Sequence, residues 1–200
     1  MRTDAPLVID TAKWSVMSAV VPKISGKQVL NSTKADPEIA QKYVALAAEH
    51  GAGLIGLTID AAGVPGDIDK RVELGAQLIT IAMEGGMTMA DLFIDPIILP
   101  VNVAPKNPGH CMEAIAQIKS FADPAPHLLL GLSNVSQRCS NRGLINRTYL
   151  AMAIAKGLDA AIMDPMDREL MDTATTSELL LEKMIYCDSY LEAARQHKGA

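Results

Sequence analysis

Leu128-Leu129-Leu130-Gly131-Leu132-Ser133-Asn134 is apolar for five residues and then stops at a hydroxyl and a carboxamide. A run so short and so continuous reads as a strand, Leu128–Ser133, covered on both faces, the condition of a parallel sheet. Five other segments have the same form: Leu7–Asp10, Gln28–Ser32, Leu54–Ile59, Leu92–Ile97 and Ala160–Asp164. Longer stretches with helical spacing separate them. The alternation predicts six β/α units and an α/β fold with a parallel sheet.

Helix punctuation supports that order. Asp36-Pro37-Glu38 offers a capping carboxylate, a proline at the first helical position and an acid in the first turn, and Gly51 gives the stop, so a helix is expected near 37–50. Asn107-Pro108 has the look of the same cap and proline ahead of Met112, Ile115, Ile118 and Ala122, which predicts a helix to about 122. Ile68, Val72, Ile79 and Met83 form one apolar stripe closing at Gly85-Gly86, and Leu144, Thr148, Met152 and Ala155 form another before Gly157. Both stripes are expected in the core. A last helix is predicted over 173–195, its basic end Arg195-Gln196-His197-Lys198 suiting a helix C-terminus. Gly63-Val64-Pro65-Gly66 reads as a turn.

Each apolar run ends on a polar side chain: Asp10, Asn31-Ser32, Thr58, Asp95, Ser133-Asn134 and Asp164. One such residue is ordinary punctuation where a loop begins. Six of them at the C-terminal ends of parallel strands share one face, which in a (β/α)8 barrel is the face that carries reactive groups. The set is rich in carboxylates and carboxamides. A carboxylate accepts two parallel hydrogen bonds from an amino-substituted ring and a carboxamide both donates and accepts, so the mouth is equipped to read a flat, nitrogen-rich heterocycle. No histidine or cysteine falls in the pattern, so no metal site and no thiol nucleophile is expected. There is no G-x-G-x-x-G or P-loop phosphate cradle.

Composition narrows the classes further. Two hundred residues, 49% hydrophobic and 20% charged, suit one globular domain over 1–200 and exclude a disordered or coiled-coil chain. A net charge of -5 without a basic run gives nucleic acid no purchase. The longest apolar stretches fall far short of the roughly 20 residues of a membrane span. Met1-Arg2-Thr3-Asp4-Ala5-Pro6 lacks a signal-peptide cleavage site, so a cytoplasmic location is expected. Cys111, Cys139 and Cys187 are an odd set without C-x-x-C spacing, expected to be buried and reduced.

The strings Leu30-Asn31-Ser32-Thr33, Gly56-Leu57-Thr58, Ile94-Asp95-Pro96-Ile97-Ile98-Leu99-Pro100 and Gly131-Leu132-Ser133-Asn134-Val135-Ser136-Gln137 closely resemble one family. It is the methyltetrahydrofolate:corrinoid/iron–sulfur protein methyltransferases. The likeness continues through Asn141-Arg142, Leu144-Ile145-Asn146-Arg147, Gly157-Leu158-Asp159-Ala160-Ala161-Ile162 and Tyr186-Cys187-Asp188-Ser189, nearly the whole chain in order. The resemblance implies a pterin-binding TIM barrel, shared with the folate module of cobalamin-dependent methionine synthase and with dihydropteroate synthase. Ser133-Asn134-Val135-Ser136 stands where dihydropteroate synthase is expected to have a lysine-bearing loop. Gln137 stands where the methionine synthase module usually has an aromatic residue, favouring the corrinoid-protein branch.

By that resemblance Asp10, Asn31 and Asp95 hydrogen-bond the pterin ring, and Asn134 approaches the nitrogen that bears the methyl group. Gln137 and Arg142 are weaker candidates for ligand or loop-ordering contacts, and an ordinary salt bridge would equally explain Arg142. The implied reaction moves the N5-methyl group of methyltetrahydrofolate to the cobalt of a corrinoid (cobalamin-type) cofactor held by a partner corrinoid iron–sulfur protein, or the reverse. Full-length family members are expected to be homodimers. They carry two further β/α units ahead of the strand ending at Asp10, a complete barrel running to about 250 residues. Here the expectation is an open, N-terminally incomplete barrel, its gap lying between the strands that end at Asp10 and Asp164.

Two other readings stand beside it. One is a non-catalytic fragment or pseudoenzyme that keeps the motifs without the activity, and the other is a different TIM-barrel enzyme, such as an aldolase or phosphate-ester lyase. An aldolase would need a Schiff-base lysine, yet Lys13, Lys119 and Lys156 fall on helical patterns.

Overall fold

The computed structural model describes residues 5–183. Cys187, the Tyr186–Ser189 string, the basic tail and the end of the last predicted helix lie outside the described residues. The chain alternates strand and helix throughout: β1 (Leu7–Asp10), α1 (Trp14–Val20), β2 (Gln28–Lys34), α2 (Pro37–Glu49), β3 (Gly53–Leu57), α3 (Ile68–Glu84), β4 (Leu92–Asp95), α4 (Asn107–Lys119), β5 (His127–Gly131), α5 (Arg142–Ala155), β6 (Ala160–Ile162) and α6 (Arg168–Leu180). The strands are parallel and pair in sequence order from β1 to β6. Among the described residues β1 and β6 do not pair with each other, so the sheet is an open half-barrel.

The helices cover its convex face. Leu30, Leu54, Leu92, Ile94, Leu128 and Leu130 project from the strands into one continuous core with Tyr43, Leu74, Leu78, Ile115, Ile118 and Leu150. Gly56 lets α3 approach closely, since a Cβ there would stand 3.0 Å from Leu78 Cδ1. Caps fall where carboxylates were available: Asp36 Oδ1 accepts from Ile39 N–H at 3.0 Å, and Asp67 Oδ1 from Lys70 N–H at 2.7 Å. The turn expected at 63–66 lies instead at 60–63: Gly63, at φ 104°, closes it, its N–H donating to the Asp60 carbonyl at 3.2 Å.

Several expectations are corrected. β3, β4 and β5 end at Leu57, Asp95 and Gly131 rather than at Ile59, Ile97 and Ser133, because the chain turns as soon as it leaves the sheet; Leu132–Ser136 is a 3-10 turn. β6 stops at Ile162 rather than Asp164, and β2 runs on past Ser32 to Lys34. The outer strands are not buried on both faces: Leu7, Val8 and Ile162 are about half exposed. The core stripe of α5 is Tyr149, Leu150, Ala153 and Ile154, whereas Leu144 and Met152 are exposed. In α3 the buried residues include Arg71, Leu74, Leu78 and Ala82, while Met83 faces solvent. Asn107 does not cap α4; its Oδ1 accepts from Leu99 N–H at 2.8 Å and ties the preceding loop, and the helix stops at Lys119 rather than near 122. The last helix begins at Arg168, capped by Asp167, and its regular part ends at Leu180, not over 173–195. Cys111 is buried but Cys139 is partly exposed.

Candidate functional site

Side chains alternate between the two faces of each strand. A Cβ on Gly53 would meet Val29 Cγ2 at 3.3 Å and Phe93 Cε2 at 3.4 Å, and the Phe93 ring stacks on His127 at 4.9 Å. These residues therefore mark the concave face at its N-terminal end. Two residues on from Val29 and Phe93 stand Asn31 and Asp95, and four on from His127 stands Gly131, all on the same face and nearer the C-terminal mouth. Asp10 is the register partner of Asn31, and Asp95 that of Leu57. Five neighbouring strands, β1 to β5, thus contribute to one rim.

Asp95 is the most tightly held of these groups. Its Oδ1 accepts from Ile97 N–H at 2.8 Å, and the backbone N–H of Gly131 on the adjacent strand also donates to the carboxylate. Burial nevertheless pushes its pKa from the ordinary 3.8 up to about 7, against the opposing pull of those two N–H groups and of the Arg71 charge. The carboxylate lacks enough partners to be fully comfortable as an anion. Such a group gains most from a ligand that brings its own N–H donors.

Asn134 stands beside it across Gly131. It lies on the 3-10 turn after β5, exposed, with its Nδ2 3.1 Å from where a Cβ on residue 131 would be. Only a glycine lets the amide settle there without displacement. Arg142, at the start of α5, donates from Nε to Ser136 Oγ at 3.1 Å and from Nη2 to the Ser133 carbonyl at 3.1 Å. It orders the Asn134 loop, and these hydrogen bonds rather than a salt bridge are what it makes there. Gln137 is exposed at the end of the same turn, its N–H donating to the Asn134 carbonyl at 3.1 Å.

Other strand-end residues behave differently from expectation. Thr58 is not on the open mouth: it is fully buried, its N–H donates to the Asp95 carbonyl at 3.0 Å, and its hydroxyl has no hydrogen-bond partner. Asp164 is exposed and accepts from Met166 N–H at 2.9 Å, shaping the turn after β6.

Two residues escaped the sequence reading. Lys34 pairs with Leu57, which pairs with Asp95, so it shares their row at the exposed end of β2. The polar composition of Asn31-Ser32-Thr33-Lys34 hid the continuation of the strand. Arg71 is 1% exposed, its guanidinium donating to the backbone carbonyls of Pro65 at 2.6 Å, Ile97 at 2.8 Å and also Pro96. Around it, burial pushes the Cys111 thiol up to about 12 and raises Tyr149 as well. Neither is a nucleophile or base here.

Known proteins resemble this chain in sequence and in shape. Residues 1–164 match the model of the pterin binding enzymes. The methylcorrinoid:tetrahydrofolate methyltransferase of Eubacterium limosum is 27% identical over 197 residues, spanning 98% of this chain and 72% of that protein. The methionine synthase of Mycobacterium leprae is 31% identical over 170 residues, which is 79% of this chain but 14% of the synthase. In shape, a dihydropteroate synthase of Coxiella burnetii, solved with pteroic acid, superposes with a TM-score of 0.67 at 12% identity, covering 92% of this chain and 71% of that one. The last likeness bears on the fold alone, a TIM barrel of which this chain forms the open arc. With the family model spanning most of its length, the chain belongs to the pterin-binding enzymes.

Proposed function

We propose that this chain binds methyltetrahydrofolate and exchanges its N5-methyl group with the cobalt of a corrinoid carried by a partner protein. The observation that carries the reading is the adjacency of Asp95 and Asn134 at Gly131, a half-buried carboxylate beside an exposed carboxamide on one rim. The relatives named for methyl transfer between corrinoid and tetrahydrofolate, and for methionine synthesis, support it.

In this reading Asp95 accepts paired hydrogen bonds from the amino-pyrimidine edge of the pterin, with Asp10 and Asn31 completing the contacts along the ring. Gln137 and Arg142 hold the loop against it. As the methyl group leaves, N5 keeps the bonding electron pair and must gain a proton or a strong hydrogen bond, while the cobalt supplies the electrons of the new bond to carbon. Asn134 serves N5 at that moment, its hydrogen bond strengthening as charge changes on the nitrogen. The ring is fixed with its methyl group toward the open mouth, where a corrinoid can approach in line.

Calorimetric titration with methyltetrahydrofolate tests the binding step. Asp95→Ala is expected to weaken binding by on the order of 2 kcal/mol, the cost of leaving buried polar partners unmatched. Asn134→Ala is expected to slow single-turnover methyl transfer to a corrinoid protein by a larger factor than it raises the dissociation constant. A chain that takes up no pterin at all is instead the non-catalytic relative.

A further inference from the structure

Arg71 is the one arginine buried in the described core, and nothing in the pterin contacts proposed above uses it. A guanidinium taken out of water is expensive unless its donors are matched, so a residue of this kind in a helix that otherwise buries Leu74 and Leu78 asks for a reason. No carboxylate forms a salt bridge with it among the described residues. Its partners are the carbonyls of Pro65, on the loop between β3 and α3, and of Pro96 and Ile97, on the loop that leaves β4.

The Pro96 carbonyl and the Ile97 N–H belong to one planar peptide group. Its oxygen accepts from Arg71, and its N–H, on the opposite side, donates to Asp95 Oδ1 at 2.8 Å. The next carbonyl, that of Ile97, also accepts from Arg71, at 2.8 Å. Ile97 itself stands at φ 59°, a conformation costly for a β-branched side chain and kept only where the surroundings over-determine it. Arg71 does so from below and Asp95 from above.

We propose that Arg71 is a positioning residue for pterin recognition, orienting the Asp95 carboxylate through the Pro96–Ile97 peptide group. The inference rests on the assignment of Asp95 to the pterin contacts. Two effects separate within it. The fork of the guanidinium, which only an arginine supplies, fixes the peptide and hence the aim of Asp95. The positive charge opposes the burial that drives Asp95 toward protonation. The titratable groups near this cluster are Arg71 from α3, Asp67 at the N-cap of α3, Cys111 from α4 and Tyr149 from α5; Asp67 acts on Arg71, Cys111 and Tyr149 are pushed upward and stay neutral, and Arg71 is the charge that acts on Asp95.

The test compares Arg71→Lys and Arg71→Gln, each with Asp95 intact and with Asp95→Asn. Two readouts are taken: the dissociation constant for methyltetrahydrofolate across pH, and the titration of the Asp95 carboxyl carbon by NMR in the free protein. Arg71→Lys keeps the charge but cannot span the Pro65, Pro96 and Ile97 carbonyls together. It should weaken binding roughly tenfold, the scale of a misdirected hydrogen bond to a charged group, while the Asp95 midpoint stays near 7. Arg71→Gln should also move that midpoint upward. In the Asp95→Asn background both Arg71 changes should lose most of their effect on affinity.

A purely structural arginine would lower the melting temperature, leave the Asp95 midpoint in place, and weaken binding equally with or without the carboxylate; that result overturns the proposal. So does failure of both variants to fold, which would make Arg71 a core element only. If Asp95→Asn alone leaves affinity unchanged, the assignment of Asp95 to the pterin is what fails, and the NMR midpoint still decides whether Arg71 governs the carboxylate.

Discussion

The amide of Asn134 occupies the space that a side chain on Gly131 would need, its Nδ2 3.1 Å from the place of a Cβ there. Gly131 is therefore specific to this site for a reason other than backbone freedom, since its φ of -75° is open to any residue. Gly131→Ala should push the Asn134 amide aside by a few tenths of an ångström while leaving the donation from residue 131 N–H to Asp95. Because methyl transfer depends on alignment more steeply than ground-state binding does, single-turnover transfer should slow on the order of tenfold with little change in pterin affinity. An unaltered rate would remove Asn134 from the reaction.

Asp95 also makes the stability of the empty protein depend on pH. Its folded pKa of about 7 lies above the ordinary 3.8, so between these values the folded state holds a proton that the unfolded chain has released. The stability this supplies is fully present below pH 3.8 and is lost as pH rises through 7. Asp95→Asn carries no such proton. Denaturant midpoints measured from pH 5 to 8 should therefore fall for the unaltered chain more steeply than for the variant, and parallel curves would contradict the burial assigned to this carboxyl.

Arg142 holds two points of the loop that carries Asn134, the Ser136 hydroxyl and the Ser133 carbonyl. Being on the rim and largely exposed, it adds little to global stability. Arg142→Ala should leave the melting temperature within about a degree or two, consistent with the small effects of surface changes. It should nevertheless raise the methyltetrahydrofolate dissociation constant several-fold, roughly what two lost hydrogen bonds to one loop are worth. Arg142→Lys, which reaches one of those acceptors, should fall between. A large fall in melting temperature would instead place Arg142 among the residues that hold the fold together.

The parallel sheet was readable because short apolar runs such as Leu128–Gly131, set between longer helical stretches, read as strands buried by helices, and their ends located the rim. Caps were readable where an aspartate stood free to turn back on its helix, as at Asp36, but not at Asn107, whose carboxamide is captured by the Leu99 N–H eight residues earlier. The face of α5 was misread for a different reason. That helix is apolar on two sides, and Leu144 and Met152 lie in a groove beside Val101 and Met112 instead of under Leu150. Periodicity alone does not choose between two such faces. Arg71 was invisible because its partners are backbone carbonyls, which carry no signature in sequence.

The unpaired edges of the sheet make the last prediction. Val8 on β1 is 53% exposed and Ile162 on β6 is 47% exposed. By register Val8 shares the concave face with Val29, and Ile162 with Gly131. Among the described residues each edge therefore offers backbone N–H and C=O groups that no strand pairs, next to an apolar side chain, the combination that recruits a further strand from another molecule. The chain alone should bind a hydrophobic dye and show light scattering that grows with concentration. Val8→Lys with Ile162→Lys puts charge at both edges without touching the convex core, so the doubly changed chain should scatter less, bind less dye and keep its helical circular dichroism. The charges repel at the edges where like strands would meet, so raising the salt concentration should partly restore association in the variant by screening them. A freely monomeric, dye-silent unaltered chain would show that both edges are already protected.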